Sequence, residues 1–438
     1  MAYLVGVLVV VVVVLASIAL HEVGHMVPAK RFGVRVSQYM VGFGPTLWSR
    51  TRGETEYGLK AIPLGGYVRL IGMYPPGHAV GDPAPRGWFG RLAQDARQAS
   101  AEEILPGEDH RAFYRLSTPK KLVVMLGGPV MNLVIAAVLM GVTLVGFGSP
   151  VYTTTLAGVT QCVLPASAPA DQGCTDADPV GPAYAAGLRG GDTVVSYDGR
   201  QVTGWEELST LIQQTGGRTV PVVVERDGRT VELDVTPTVA DRPVLDANGS
   251  VVTGADGAAM THEVGFLGIG PTIELERQSV LEVPGAVLDR TGQTLAVVGT
   301  LPGRVVDLAR VVFTDAPRTQ DSIIGVVGIG RIAGEVTSVQ ADGYGLRERV
   351  ASLLDLLATL NIALFVFNLI PLPPLDGGHV VAALWEGARR RVAAWRGRPR
   401  PAPFDTARLV PLAYSVFVVL GAVGLLLIYA DIVDPVTI

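Results

Sequence analysis

The chain has 438 residues, 49% of them hydrophobic and only 17% charged, with a net charge of −5. So small a balance offers no basic surface for nucleic acid, and the low charged fraction makes the placement of the apolar residues the first question. They cluster in four runs without a charge, Met1 to Leu20, Leu122 to Phe147, Leu356 to Leu375 and Leu409 to Ala430. Each reaches the roughly 20 residues a helix needs to cross the hydrocarbon of a bilayer. A cleaved signal peptide is the alternative for the first run, with Ser17-Ile18-Ala19 as a small-residue cut site. No basic residue precedes that run, and the polar residues after it continue in helical register, so a membrane span is expected instead.

Taken in chain order, residues 1–30 read as the first transmembrane helix. Residues 31–120 read as a cytoplasmic-side β-hairpin region, extended from Val34 to Met73, followed by a mobile loop over Tyr74 to His110. The second span is expected at 121–148, and 149–270 as a strand-dominated domain with one helix over Trp205 to Gln214. Residues 271–350 form an amphipathic helical segment, with a helix over Leu281 to Asp315 lying along the membrane. The third span occupies 351–380, a cytoplasmic Arg-rich loop 381–406, and the fourth span and tail 407–438. Arg and Lys set the orientation, because positive loops stay on the cytoplasmic side. Lys30, Arg31, Arg35, Arg50 and Arg52 follow the first run, and Arg389, Arg390, Arg391, Arg396, Arg398 and Arg400 follow the third. Residues near 149 to 350 are therefore expected outside. Cys162 and Cys174 both fall there, where a disulfide rather than two free thiols is expected; closing that short loop is worth about 3 kcal/mol.

His21-Glu22-Val23-Gly24-His25 continues the first helix. Its histidines lie one turn apart on one face, suited to a shared zinc ion, with Glu22 as the base that takes a proton from metal-bound water. Ionisable groups inside a span are costly and are seldom idle. A third donor is needed, and Asp376 in Asn368-Leu369-Ile370-Pro371-Leu372-Pro373-Pro374-Leu375-Asp376-Gly377-Gly378-His379 is the best candidate, since this segment ends a second inward-running span. His379 is the competing ligand, and is preferred as a supporting partner of the site. The prolines make a regular helix at Asp376 unexpected and leave backbone carbonyls unpaired. A substrate chain unwound from its own helix can pair with such backbone, and with the hairpin at Gly65, Gly66 and Tyr67, as an added strand.

These motifs, with Gly127-Gly128-Pro129-Val130-Met131-Asn132 in the second span, resemble the site-2 protease family, especially its bacterial RseP-type group. The resemblance covers most of the chain in order. It implies a polytopic α-helical membrane protein of about four transmembrane helices, with a membrane-associated β-hairpin or sheet and an extracytoplasmic β-rich domain. It also implies Zn2+-dependent intramembrane proteolysis, with His21, His25 and Asp376 as ligands and Glu22 as base. Asn368, Pro371, Gly65, Gly66 and Tyr67 are then expected to handle substrate, and Asn132 and His379 to support the site. Gly181-Pro182-Ala183-Tyr184-Ala185-Ala186-Gly187-Leu188-Arg189-Gly190-Gly191-Asp192 is similar to the PDZ repeat of these proteases. One such domain is read where the RseP-type members often carry two. The implied setting is the inner membrane, with single-pass membrane proteins as substrates, such as trimmed anti-sigma factors or remnant signal peptides. A membrane metal transporter and a catalytically silent PDZ-like scaffold are the competing classes; the first lacks an acidic relay across the other spans, and the second has no use for Glu22.

Overall fold

The computed structural model describes residues 2–81, 87–164, 173–175, 177–243, 260–314, 322–339 and 345–435. Its elements run α1 (Ala2–Arg31), β1 (Val36–Arg52), β2 (Thr55–Leu70), α2 (Gly77–Val80), α3 (Gly87–Glu102), α4 (Thr118–Gly141), β3 (Ser149–Val159), α5 (Pro182–Ala185), β4 (Thr193–Tyr197), β5 (Arg200–Gln201), α6 (Trp205–Gln214), β6 (Val220–Arg226), β7 (Arg229–Val235), β8 (Thr238–Pro243), β9 (Thr261–Phe266), β10 (Ile269–Glu276), α7 (Val283–Thr314), α8 (Val326–Ser338), α9 (Leu346–Asn368), α10 (Asp376–Trp395) and α11 (Val410–Val433). Packing divides the chain into two units, Met1–Phe147 with Gln278–Ile438, and Gly148–Arg277.

In the first unit, four helical stretches among the described residues are long and apolar enough to cross a membrane: Ala2–Arg31, Thr118–Phe147, Leu346–Asn368 and Thr406–Val433. Uncharged runs of Val, Leu and Ala adopt helix there because hydrocarbon offers the backbone no other partner. Helices α4, α7 and α9 share one core of Ala136, Met140, Val283, Val287, Ala358, Ile362 and Val366, and Val10 of α1 joins Ala333, Leu353 and Leu357 in another. The first turn of α8 is capped by Asp431 of α11, whose Oδ2 accepts from Gly325 N at 2.9 Å and Gly328 N at 2.8 Å.

Strands β1 and β2 are long and bent, and their pairing folds them into a four-rung sheet. Residues 55–60 pair on one side with 46–52 and on the other with 38–41, while Gly66–Leu70 pair only with Val36–Val41. The stretch Gly66–Leu70 is thus an edge.

Three expectations are corrected. The loop expected over Tyr74 to His110 contains α3, whose inward residues are Ala93, Arg97 and Ser100. Small and charged side chains hid the helical period, and the helix is held by Arg97, which donates to both carboxylate oxygens of the buried Asp405 at 3.1 and 2.6 Å. The Arg-rich loop expected over 381–406 is helical as far as Trp395, because the inward face of α10 is Gly377, Gly378, Ala382, Ala383, Glu386 and Ala393, and the arginines sit mostly outside. A regular helix does start at Asp376. The three prolines all precede its first turn, where a missing N–H breaks no helical bond.

The second unit carries a sheet ordered β10-β3-β4-β6-β7, with β5 on β4, and a separate β8-β9 pair. Its core of Leu156, Ala183, Tyr197, Leu208, Val222, Val224 and Val235 closes around α6, which has the bounds its sequence suggests. The strand β10 belongs to this unit, so its boundary lies beyond residue 270. Cys162 and Cys174 are disulfide-bonded.

Candidate active site

Helix α1 runs without a break from its apolar start through His21-Glu22-Val23-Gly24-His25 to Arg31, so the two imidazoles sit one turn apart, edge to face, with ring centroids 4.9 Å from each other. The close approach of α4 positions them. A Cβ on Gly24 would lie 2.2 Å from Gly127 O, and one on Gly127 would lie 2.0 Å from Gly24 O. The two helices therefore cross backbone on backbone. One residue further, a Cβ on Gly128 would lie 2.2 Å from His25 Nε2 and 2.7 Å from His21 Nε2. Glycine there leaves the space in which the nitrogens face each other.

His25 Nδ1 lies 2.8 Å from Val124 O on α4. A carbonyl only accepts, so Nδ1 donates and Nε2 keeps its lone pair for the site. His25 Nε2 and His21 Nε2 are 3.2 Å apart. Asp376, in the first turn of α10, completes the triangle, its Oδ2 3.4 Å from His21 Nε2 and 3.3 Å from His25 Nε2. The turn before α10 aims it there. Gly377 and Gly378 let the Leu369–Pro373 backbone fold onto the start of the helix, since a Cβ on Gly377 would lie 2.3 Å from Ile370 O and one on Gly378 2.7 Å from Pro373 N.

Three donors so arranged are spaced to be able to hold one metal ion, among the described residues. Donors about 2.0–2.1 Å from a tetrahedral zinc ion stand about 3.3–3.4 Å apart, which is the size of this triangle. Asp376 Oδ2 and His21 Nδ1 are buried without a hydrogen-bond partner. A carboxylate oxygen turned toward two imidazole nitrogens in this way is suited to sharing a cation with them. The donor set therefore fits zinc.

Glu22 is 9% exposed and lies outside the three-donor group. The edge strand passes over it: a Cβ on Gly66 would lie 3.1 Å from Glu22 Cγ and 3.2 Å from Ile18 Cγ2. Of the other residues singled out in the sequence, Gly65 has φ +109° and its missing Cβ would press on the Phe43 ring at 2.8 Å. Tyr67 stacks on Phe43 with centroids 6.2 Å apart. Asn368 ends α9 half-buried, and Pro371 is exposed. Asn132 is 1% exposed on α4, one turn beyond Gly128, with Oδ1 unpartnered. His379 does not join the donor group and makes no hydrogen bond to Asp376 among the described residues; it lines a cavity of about 20 Å³ with Lys121 and Glu386.

Sequence reasoning missed the buried charge beside that cavity. Lys121 Nζ of α4 donates to Glu386 Oε1 and Oε2 of α10 at 2.9 and 3.0 Å, and Glu386 also accepts from Arg390 at 2.7 Å and from Phe404 N at 2.9 Å. Lys121 and Glu386 are 5% and 3% exposed. Partners 265 residues apart leave no local signal. The glycine roles had one, because Gly127-Gly128-Pro129 interrupts a run of large apolar residues with small ones.

Residues 9–399 match the pattern of peptidase family M50. The chain belongs to peptidase family M50. Among its relatives in that family is the zinc metalloprotease Rip1 of Mycobacterium tuberculosis strain H37Rv, 34% identical over 100% of this chain and 99% of that one. Rip1 of Mycolicibacterium smegmatis is 32% identical, with both chains covered completely. The metalloprotease MmpA of Caulobacter vibrioides is 28% identical over 85% of this chain and 84% of its own. Family M50 membership makes the chain a peptidase, and the four apolar helices among its described residues accord with a multi-pass membrane protein.

Proposed function

We propose that this M50 peptidase is a zinc-dependent endopeptidase that cuts transmembrane segments of single-pass proteins, with His21, His25 and Asp376 holding Zn2+ and Glu22 acting as base. The carrying observation is the triangle of donors, 3.2 to 3.4 Å on each edge, delivered by the apolar helix α1 and by the first turn of α10 after a proline-rich turn. When bound, zinc supplies the Lewis acidity that polarises the scissile carbonyl and acidifies a water. Glu22, beside His21 and clear of the donor group, takes the proton of the attacking water and returns it to the leaving amine. Val124 O holds His25 in the tautomer whose Nε2 faces the metal position.

A peptide bond inside a helix is shielded, so the substrate must be unwound before attack. The free edge of Gly66–Leu70 offers it backbone partners next to Glu22, and Asn368 and Pro371 bound the approach from the α9–α10 turn. By the positive-inside rule α3 and α10 face the cytoplasm and the second unit lies outside, in the inner membrane setting of this reading. That unit, PDZ-like in its GPAYAAGLRGGD run, has a groove of about 700 Å³ lined by Trp205, Ile212, Arg242, Phe266 and Ile269. It acts as a filter admitting proteins whose outer portion has already been trimmed, such as anti-sigma factors or remnant signal peptides. The test is Glu22→Gln, assayed for metal content and for cleavage of a trimmed single-span substrate. Unchanged zinc with cleavage lowered by about 10²–10⁴-fold is expected; unchanged cleavage removes Glu22 from the mechanism.

A further inference from the structure

Helix α10 has an inward face that carries Asp376 and Glu386, and an outward face that no described element covers. Val381, Leu384, Trp385, Val392 and Trp395 are 46 to 84% exposed. At 100° per residue these positions, with Ala388, fall in one stripe along the helix. Arg389 and Arg396 flank it on one side and Arg391 on the other. Trp385, Arg389, Val392, Arg396 and Arg398 line a single groove of about 390 Å³. Arg389, Arg396 and Arg398 make no ion pair with any described residue, whereas Arg390, facing inward, is paired with Glu386 at 2.7 Å. The helix is joined at each end to a stretch able to cross a membrane, α9 before it and Thr406–Val433 after it. It therefore lies beside a membrane face.

We propose that this face of α10 is an in-plane lipid-binding surface, in which the apolar stripe enters the acyl boundary and Arg389, Arg396 and Arg398 hold the phosphate of an anionic phospholipid. A tryptophan among arginines suits that place: indole favours the headgroup level, and guanidinium binds phosphate oxygens through paired N–H groups. Charge complementarity selects an anionic leaflet over a protein partner, because the groove presents three unpaired cations and no carboxylate among its lining residues. The consequence reaches the site through a rigid element. Asp376 is the first residue of the same helix, so lipid seated on α10 fixes the depth at which that carboxylate meets His21 and His25. The proposal rests on α9 and α11 crossing the bilayer and not on the catalytic reading.

The test uses full-length protein in nanodiscs of phosphatidylcholine titrated with brominated phosphatidylglycerol, a bromolipid quenching only indoles it touches. Subtracting Trp385→Phe from wild type isolates the Trp385 signal. Strong quenching at a low mole fraction of the anionic lipid is expected. In the triple variant R389Q/R396Q/R398Q the midpoint should rise roughly fivefold for each arginine removed. Thermal unfolding and monodispersity of the triple variant in detergent, expected to match wild type, separate loss of lipid binding from misfolding. Equal quenching by brominated phosphatidylcholine overturns the headgroup site, and no quenching by either lipid shows that water or protein covers the face. Loss of the preference on adding inorganic phosphate identifies a free-anion pocket and overturns the lipid. Because cleavage is never read, failure here leaves the proposed catalysis untouched.

Discussion

Helices α1 and α10 bring their donors to one point by opposite means: α1 is held against α4 by bare backbone at Gly24 and Gly127, while α10 is held by charge through Glu386. A backbone contact is set by sterics and admits no added atom, whereas a buried ion cluster is set by charge balance and tolerates replacement in pairs. The metal-facing side of the molecule should therefore be far less forgiving of a single methyl group than the region that anchors α10.

Gly128→Val should be the severest break, because its side chain must occupy the space of His25 Nε2. The expected result is loss of bound zinc, measured per chain by elemental mass spectrometry, in protein that still inserts. Glu386→Ala comes next: it strands Lys121 and Arg390 as buried cations and should cost about 3–5 kcal/mol in detergent-solubilised unfolding. The paired change Lys121→Met with Glu386→Met should recover part of that loss, since the Lys121 charge leaves with its partner while Arg390 and Phe404 N still lose Glu386. No comparable rescue is expected for Gly128.

Gly66→Val probes the third contact, between edge strand and base. It should leave zinc content unchanged and lower cleavage about a hundredfold by shifting Glu22 or the strand over it. Normal cleavage in that variant would detach the edge strand from the site. The smallest effect is expected of Gly141→Ala, in the last turn of the same α4, where the new Cβ meets nothing nearer than Val283 at 3.9 Å. Stability within about 1 kcal/mol of wild type, on the favourable side, is expected there. The contrast between Gly128 and Gly141 thus tests contact, not residue type.

Much of this was legible in the amino-acid order. Uncharged runs near 20 residues announced the four helices apolar enough to span a membrane among the described residues, and the i, i+4 histidines with a distant Leu-Asp-Gly-Gly-His named the donors that meet. Strand alternation and turn residues marked β4, β6 and β7, and Trp205–Gln214 is helical as its pattern suggests. The missed parts share a cause. Helix α3 buries an arginine and a serine, and α10 carries Arg389, Arg390 and Arg391 in a single late turn followed by Arg396, Arg398 and Arg400, so α3 lacks a plain apolar period and the end of α10 reads as a charged loop. Both depend on partners far away in sequence, Arg97 on Asp405 and Lys121 on Glu386, and such pairing leaves no local trace. The sequence left His379 between competing ligand and supporting partner, since three residues beyond Asp376 is ligand spacing on a helix; its ring lines the Lys121–Glu386 cavity and lies outside the donor group.

The central claim is that one ion is shared by His21, His25 and Asp376. Zinc-edge X-ray absorption on the purified full-length protein tests it most directly, beside Asp376→Ala. One zinc per chain is expected, with nitrogen and oxygen scatterers at about 2.0–2.1 Å, two of them imidazole, and a weakened or lost signal in the variant. Sulfur scattering at about 2.3 Å, or a spectrum and occupancy identical in Asp376→Ala, would contradict it.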